Sequence, residues 1–182
     1  LTFEIANNGD RHIRPTFKIR WPVQPLDLTD YRELSLAAWH DGSLETAFIG
    51  TGGGFLGFGG PLDETREFLN NVRWTGAQLR YFVAALIPEQ AKDASARFIP
   101  FAGGALGVSE LAFQPVDVPP GQTAVRNLRM YLGPKEADRL DAVGARLDDA
   151  IPKGWFAPLT SFFIWLLDTV LNAIPNYGLA II

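Results

Sequence analysis

The chain has no cysteine, a single methionine and only two histidines. The absence of cysteine excludes disulfides and thiolate-ligated zinc sites. Basic residues are fewer than acidic ones, 16 against 20, so the net charge is −4. Because nucleic-acid-binding proteins usually present a basic surface to phosphates, we expect no nucleic-acid partner. Hydrophobic residues make up 47% of the 182 residues, which is ordinary for one domain with a sizeable core.

Neither end of the sequence has the features of a natural chain terminus. Leu1 lies inside a run that alternates apolar and polar residues, without an initiating methionine or a signal peptide. The last five residues, 178–182, form an apolar run without a helix cap or a polar tail. We therefore expect the sequence to be a fragment of a longer protein.

Short strand-like segments recur along the first 132 residues, with turn residues between them. The predicted strands are residues 2–6, 13–21, 72–74, 79–88, 97–101, 105–114 and 123–132. The turn sequence at 7–10 predicts an antiparallel hairpin of the first two. Later strands are expected to be separated at Gly76, 103–104 and 119–121. Because no helices alternate with these strands, we predict a mainly β fold, an antiparallel β-sandwich with C-terminal helices.

Helical spacing replaces strand alternation after the last predicted strand. Pro134 suits the first position of a helix, where its missing N–H costs nothing. Ala137, Leu140 and Val143 then recur at helical spacing. Gly144 is suited to end this helix.

Residues 155–174 are the most apolar part of the sequence, and they predict a second helix. At 100° per residue, Ser161, Trp165, Asp168 and Asn172 fall on one narrow stripe. Large apolar residues cover the rest of the surface. The segment is therefore amphipathic, and three interpretations compete for it.

A transmembrane helix needs about 20 apolar residues. Asp168 near its centre would cost about 2.5–3.5 kcal/mol on insertion scales, and Pro158 and Pro175 leave only about 16 uninterrupted residues. A core helix of a soluble domain is the second interpretation. A helix in the membrane interface is the third, and Trp155 and Trp165 suit that depth, although the polar face lacks the lysines and arginines of many surface helices.

We favour the interfacial helix. The residues predicted to face the membrane are Trp155, Phe156, Leu159, Phe162, Phe163, Trp165, Leu166, Val170 and Leu171.

Two other patterns in the sequence resemble binding or catalytic sites. Gly52, Gly54 and Gly57 match a dinucleotide-binding spacing, but the following residues 58–61 disfavour the helix that the motif requires. We therefore predict a loop. His12 and His40 each lie near an aspartate, but neighbours in an extended segment point to opposite faces, so no acid–base pair is expected.

The acidic pair Asp148-Asp149 is expected to be a solvated turn. The sequence contains no zinc, calcium or P-loop motif, and we expect no catalytic residues, no metal and no cofactor.

An ordered set of short sequences resembles the YidC-type membrane protein insertases, of the YidC/Oxa/Alb family, across about residues 74–182. The set consists of Trp74, Tyr81-Phe82, 84–88, 114–116, 120–123, Gly133-Pro134, Gly154-Trp155, Pro158-Leu159 and 176–182. Residues 1–73 match more weakly. The resemblance is to the C-terminal part of the family's periplasmic domain together with its interfacial helix.

The resemblance implies part of a periplasmic β-super-sandwich, similar to galactose mutarotase, over residues 1–133. It further implies a helix and linker packed on the sandwich at 134–153, an amphipathic interfacial helix at 154–175, and the start of a transmembrane helix at 176–182.

The implied function is to insert and fold inner-membrane proteins, alone or with the Sec translocon, and this fragment would carry no catalytic groove. The implied partners are SecF, SecD, SecY, nascent inner-membrane proteins and the lipid bilayer. The implied location is the periplasmic side of the inner membrane, in a protein that crosses the membrane several times.

Two alternatives stay open at this point. One is a mutarotase-like carbohydrate-binding or sugar-active β-sandwich domain, in which His12 or His40 would contact the sugar. The other is a soluble β-sandwich interaction module whose last helix is ordinary core.

Overall fold

The structure is a computed structural model and describes residues 1–25, 34–49 and 60–151. Strands β1 to β11 are Thr2–Ala6, Lys18–Val23, Ser35–His40, Ser43–Phe48, Gly60–Pro61, Arg66–Phe68, Val72–Gln78, Phe82–Pro88, Ala94–Phe101, Leu106–Phe113 and Thr123–Pro134. One α-helix, α1, spans Ala137–Val143. Short 3-10 helices are Ala91–Asp93, Ala102–Gly104 and Leu147–Ala150. All of these elements lie within one compact unit, Leu1–Ala150.

The described strands form two sheets. The first has seven strands in the order β1-β11-β8-β7-β3-β4-β5, and the second has four in the order β2-β10-β9-β6. Their pairings are antiparallel, apart from a two-residue parallel contact between β4 and β5. The predicted mainly β, antiparallel sandwich is therefore confirmed.

The core lies between the two sheets. Because successive side chains of a strand point to opposite faces, each sheet directs alternate residues inward. Leu36, Leu86 and Leu128 of the seven-stranded sheet are buried in the same cluster as Phe98 and Leu111 of the four-stranded sheet. Each strand therefore has an inner side that faces the core and an outer side that faces away from it.

One polar contact crosses this apolar core. The hydroxyl oxygens of Thr75 in β7 and Ser109 in β10 lie 2.8 Å apart, and both residues are fully buried. The Thr75 hydroxyl also lies 3.3 Å from the carbonyl oxygen of Ala37. Because a hydrogen bond has directional geometry, this contact fixes the two sheets relative to each other more strictly than apolar packing does.

Replacing Thr75 by valine is expected to lower the free energy of unfolding by about 1–3 kcal/mol, because the Ser109 hydroxyl would be left buried without its partner. The double variant Thr75→Val/Ser109→Ala should lose less than Thr75→Val alone, since no polar group would then be stranded. Urea unfolding of the wild type, both single variants and the double variant measures this coupling. Additive losses would show that the two hydroxyls do not depend on each other.

The predicted hairpin of residues 2–6 and 13–21 is wrong. Strand β1 pairs with β11 in one sheet, and β2 pairs with β10 in the other. Within the connection that crosses between the sheets, the Asn7 side-chain amide donates hydrogen bonds to the carbonyls of Arg11 at 2.7 Å and Val118 at 2.8 Å. Asn7 Oδ1 also accepts the Gly9 N–H. The turn residues therefore build a crossover.

A different hairpin, β3–β4, was not predicted. Its two-residue turn is Asp41-Gly42, with φ of 46° and 96°. Positive φ at both turn positions is the conformation for which an Asp-Gly pair is favoured, so the sequence did carry the signal.

Two further turn and cap predictions need correction. Gly76, expected in a turn, lies inside β7. Pro134, expected to start the helix, is the last residue of β11, and Glu136 precedes the first helical residue. The predicted end at Gly144 is confirmed, because its φ is 74° and its N–H bonds the carbonyls of Leu140 and Asp141.

Candidate functional site

The predicted membrane-facing residues all fall within 152–182, outside the described residues, and they stay predictions. Residues 50–59 of the predicted glycine-rich loop, 50–61, are likewise outside the described part of the chain, whereas its last two residues form β5 and not a loop. The structure does describe residues 135–150, which lead toward the predicted interfacial helix. We refer to residues 135–150 as the linking segment.

Two tryptophans on the outer side of the seven-stranded sheet hold the linking segment. Trp39 of β3 and Trp74 of β7 lie directly opposite each other. The Trp39 indole N–H donates to Asp149 Oδ2 at 3.0 Å, and the Trp74 indole N–H donates to the carbonyl of Arg146 at 3.4 Å. A buried indole N–H needs an acceptor, and the linking segment supplies both.

Asp149 shows why the solvated-turn prediction for Asp148-Asp149 was wrong. Asp149 Oδ2 accepts hydrogen bonds from both the Trp39 indole and Arg146 Nε, each at 3.0 Å. It lies in the 3-10 helix Leu147–Ala150. Since the contact joins residues 110 positions apart, only the folded topology reveals it.

Apolar burial adds to these hydrogen bonds. Leu140, Leu147 and Ala150 of the linking segment are buried. Each leucine contributes roughly 1.5–3 kcal/mol relative to an exposed side chain. Arg129 of β11 also donates to the carbonyl of Val143, one of the last carbonyls of α1, at 2.9 Å. The linking segment is thus fixed to the sheet along its length.

Lys135 begins the linking segment beside the β7–β8 turn. Its backbone N–H donates to the carbonyl of Tyr81, and its Nζ donates to Gln78 Oε1, both at 2.8 Å. Burial lowers the pKa of Lys135 from 10.5 to about 8, because desolvation disfavours the charged amine. Lys135 therefore stays mostly protonated at neutral pH.

A strip of exposed apolar side chains lies near the same turn. Phe82, Met130 and Leu132 are 56%, 51% and 71% exposed. Met130 lies directly opposite the buried Leu86, and Leu132 opposite Ala84, so the strip continues the inner side of the seven-stranded sheet. Apolar surface of this kind, continuous with a core, is typical of a contact surface.

The structure places the two histidines in different surroundings. His12 is exposed. His40 Nε2 does lie 3.3 Å from Asp41 Oδ2, so the expectation that they point apart was wrong: Asp41 occupies a turn with positive φ, not an extended strand. The same Nε2 also lies 3.3 Å from the carbonyl oxygen of Leu69 at an exposed position.

Two features are absent from the described ranges. No helix there combines the length and apolarity needed to cross a bilayer. No group of three or more histidine, aspartate or glutamate side chains is arranged there to hold a metal ion.

Comparison with known proteins is consistent with this fold. The family model described as YidC periplasmic domain matches residues 2–166. Membrane protein insertase YidC of Geotalea daltonii is 35% identical over 117 residues, 64% of this chain and 22% of that protein. The proteins of the same name from Geobacter sp. (strain M21) and Maricaulis maris are 31% and 34% identical over 116 residues.

The chain spans about a fifth of the length of these relatives. The matches do not favour the mutarotase-like alternative, since the family model is described as YidC periplasmic domain and the relatives are named membrane protein insertase. With a family model covering residues 2–166 and a two-sheet antiparallel sandwich, the chain belongs to the family of YidC periplasmic domains.

Proposed function

We propose that this chain is the periplasmic portion of a membrane protein insertase, which inserts and folds inner-membrane proteins alone or with the Sec translocon. The observation that carries the proposal is the family match over residues 2–166, together with relatives named membrane protein insertase. The substrates would be nascent inner-membrane proteins. This portion would act by positioning and would perform no catalysis.

The proposed arrangement follows the order of the sequence. Residues 1–133 form the sandwich, 134–153 the helix and linker, 154–175 an interfacial helix on the periplasmic face of the inner membrane, and 176–182 the start of a membrane span. The contacts of the linking segment with Trp39 and Trp74 support the part of this arrangement at 134–153, because they hold the segment against the seven-stranded sheet.

Partners from the Sec translocon are part of the same proposal. The resemblance implies SecF, SecD and SecY, of which SecF is associated with this domain in the family. The exposed apolar strip of Phe82, Met130 and Leu132 supports a protein contact on this domain, because surfaces of this kind often bind partners.

Replacing Leu166 by glutamate in the apolar face of residues 155–174 is expected to abolish most liposome flotation of the 182-residue chain. A buried carboxylate opposes insertion of the apolar face into the headgroup boundary. Asn172→Glu is the matched control, since it adds the same charge on the polar stripe and should leave flotation nearly unchanged. Flotation of both variants and of the wild type is measured with vesicles of phosphatidylethanolamine and phosphatidylglycerol.

The insertase proposal itself is tested in the full-length protein that contains this chain. In cells depleted of their own insertase, it should restore insertion of a single-span reporter, measured by protease protection. Leu166→Glu should reduce that insertion more than Asn172→Glu does. Failure of the wild type to restore insertion would refute the function, whereas equal flotation of the two variants would refute only the interfacial helix.

A further inference from the structure

A cavity of about 560 Å³ opens at the end of the sandwich opposite the β7–β8 turn. Its charged lining residues are Arg14, Asp93, Asp117 and Arg126. Arg126 belongs to β11 of the seven-stranded sheet, whereas Asp93 precedes β9 and Asp117 follows β10 of the four-stranded sheet. The seven-stranded sheet and the segments that flank β9 and β10 thus contribute charged side chains to one open space.

Backbone hydrogen bonds fix the walls of this cavity. The N–H of Gln114 donates to the carbonyl of Asp93 at 2.8 Å, and the N–H of Val116 donates to the carbonyl of Pro15 at 3.2 Å. Residue Arg126 lies opposite Phe3 in the β1–β11 ladder. These contacts hold the backbone at 93, 114, 116 and 126 in place, so these segments need not be ordered when a ligand binds.

The four charged side chains lack ion-pair partners. Among the described residues, none of them lies within 4.0 Å of an opposite charge. Arg126 Nε is buried and has no hydrogen-bond partner. That atom is enclosed by the protein, so a ligand in the cavity would meet Arg14, Asp93, Asp117 and the rest of Arg126 instead.

The mixture of signs restricts the chemistry of such a ligand. A simple anion would be attracted by Arg14 and Arg126 but repelled by Asp93 and Asp117, and a simple cation would meet the opposite problem. A molecule with a carboxylate and an ammonium group satisfies both pairs. The guanidinium fork of arginine suits a carboxylate in particular, since it can donate two parallel hydrogen bonds.

We propose that the cavity binds a zwitterionic ligand, with its carboxylate on Arg126 and Arg14 and its ammonium group on Asp93 and Asp117. A volume of about 560 Å³ lies inside the range of about 300–1,000 Å³ that is typical of small-ligand pockets. Free amino acids and short peptides with free ends share this chemistry. The site is independent of the insertase function proposed above.

Titration of the full 182-residue chain with triglycine, followed by NMR, tests the proposal. Triglycine should shift the signals of the cavity residues saturably. N-acetyl-triglycine, which lacks the ammonium group, and triglycine amide, which lacks the carboxylate, should bind at least tenfold more weakly. Titration with glycine distinguishes free amino acids from short peptides. Tighter binding of glycine than of triglycine would identify the ligand as a free amino acid.

Variants locate the site. Arg126→Gln should weaken triglycine binding at least tenfold, and Asp117→Asn should weaken binding of triglycine more than that of N-acetyl-triglycine. Arg139→Gln is the control, since Arg139 pairs with Glu136 on α1 outside the cavity lining. If Arg126→Gln does not fold, Arg14→Gln replaces it. Absence of saturable shifts with both triglycine and glycine, or equal binding of the amide or of inorganic phosphate, would overturn the proposal.

Discussion

Replacing Gly76 by alanine is expected to lower the free energy of unfolding by more than about 3 kcal/mol, at the severe end of overpacking effects. A Cβ atom at Gly76 would lie 1.9 Å from the carbonyl oxygen of Ala84 and 2.9 Å from its carbonyl carbon. Both are backbone atoms of the neighbouring strand β8, so no side chain can turn away to make room. Strands β7 and β8 would have to separate at the centre of the seven-stranded sheet.

Gly9→Ala is the matched control. A Cβ at Gly9 meets only Asn7 Oδ1 at 3.4 Å, an ordinary contact, so the free energy of unfolding should change by no more than about 0.5 kcal/mol. Guanidinium unfolding of both variants, followed by far-ultraviolet circular dichroism, measures the difference. Similar losses in the two variants would contradict the close approach of β7 and β8.

Replacing Trp74 by alanine is expected to cost about 3–5 kcal/mol and to release the linking segment. Trp74 is fully buried, and its indole N–H bonds the carbonyl of Arg146 at 3.4 Å. Loss of the ring removes both the apolar surface beneath the linking segment and one of its hydrogen bonds. Hydrogen exchange at the amides of Leu140, Gly144 and Leu147, which are bonded within the segment, should accelerate more than exchange in β9 and β10.

Trp74→Phe separates the two contributions. Phenylalanine retains most of the apolar surface and loses only the indole N–H, so the cost should be nearer to about 1 kcal/mol. The linking segment should then stay protected from exchange. Equal acceleration of exchange in the linking segment and in all strands of Trp74→Ala would contradict this expectation. It would mean that the linking segment opens only when the whole domain unfolds.

The sequence predicted the strands of the second half well and the first half poorly. In the second half, the turns at 103–104 and 119–121 contain glycine or proline and separate β9, β10 and β11, whereas no such residue marks the β7–β8 turn at 79–81. The first two strands alternate just as clearly, but their pairing depends on β10 and β11, about a hundred residues away. Local turn residues cannot specify partners at that distance, so the hairpin prediction failed.

The attachment of the linking segment and the charged cavity could not be predicted for the same reason. Trp39 and Asp149 give no local pattern, and their hydrogen bond exists only because β3 lies beneath the linking segment. Arg14, Asp93, Asp117 and Arg126 come from four separate stretches of sequence. In contrast, the end of α1 at Gly144 was predictable, since a helix cap is a local feature.

The ladder between the first and last strands sets the order in which this domain can be completed. The amino group of Leu1 donates to the carbonyl of Leu128, 127 positions later, and β1 has β11 as its partner. During synthesis β1 must therefore wait for β11, which is made more than a hundred residues later, before this pair can form. Closure across such a separation is entropically slow, so this domain should have a high contact order and fold in the slow range of β proteins. Until β11 is made, the edge of β1 that it covers is open, and binding by a chaperone at that edge would help to prevent aggregation.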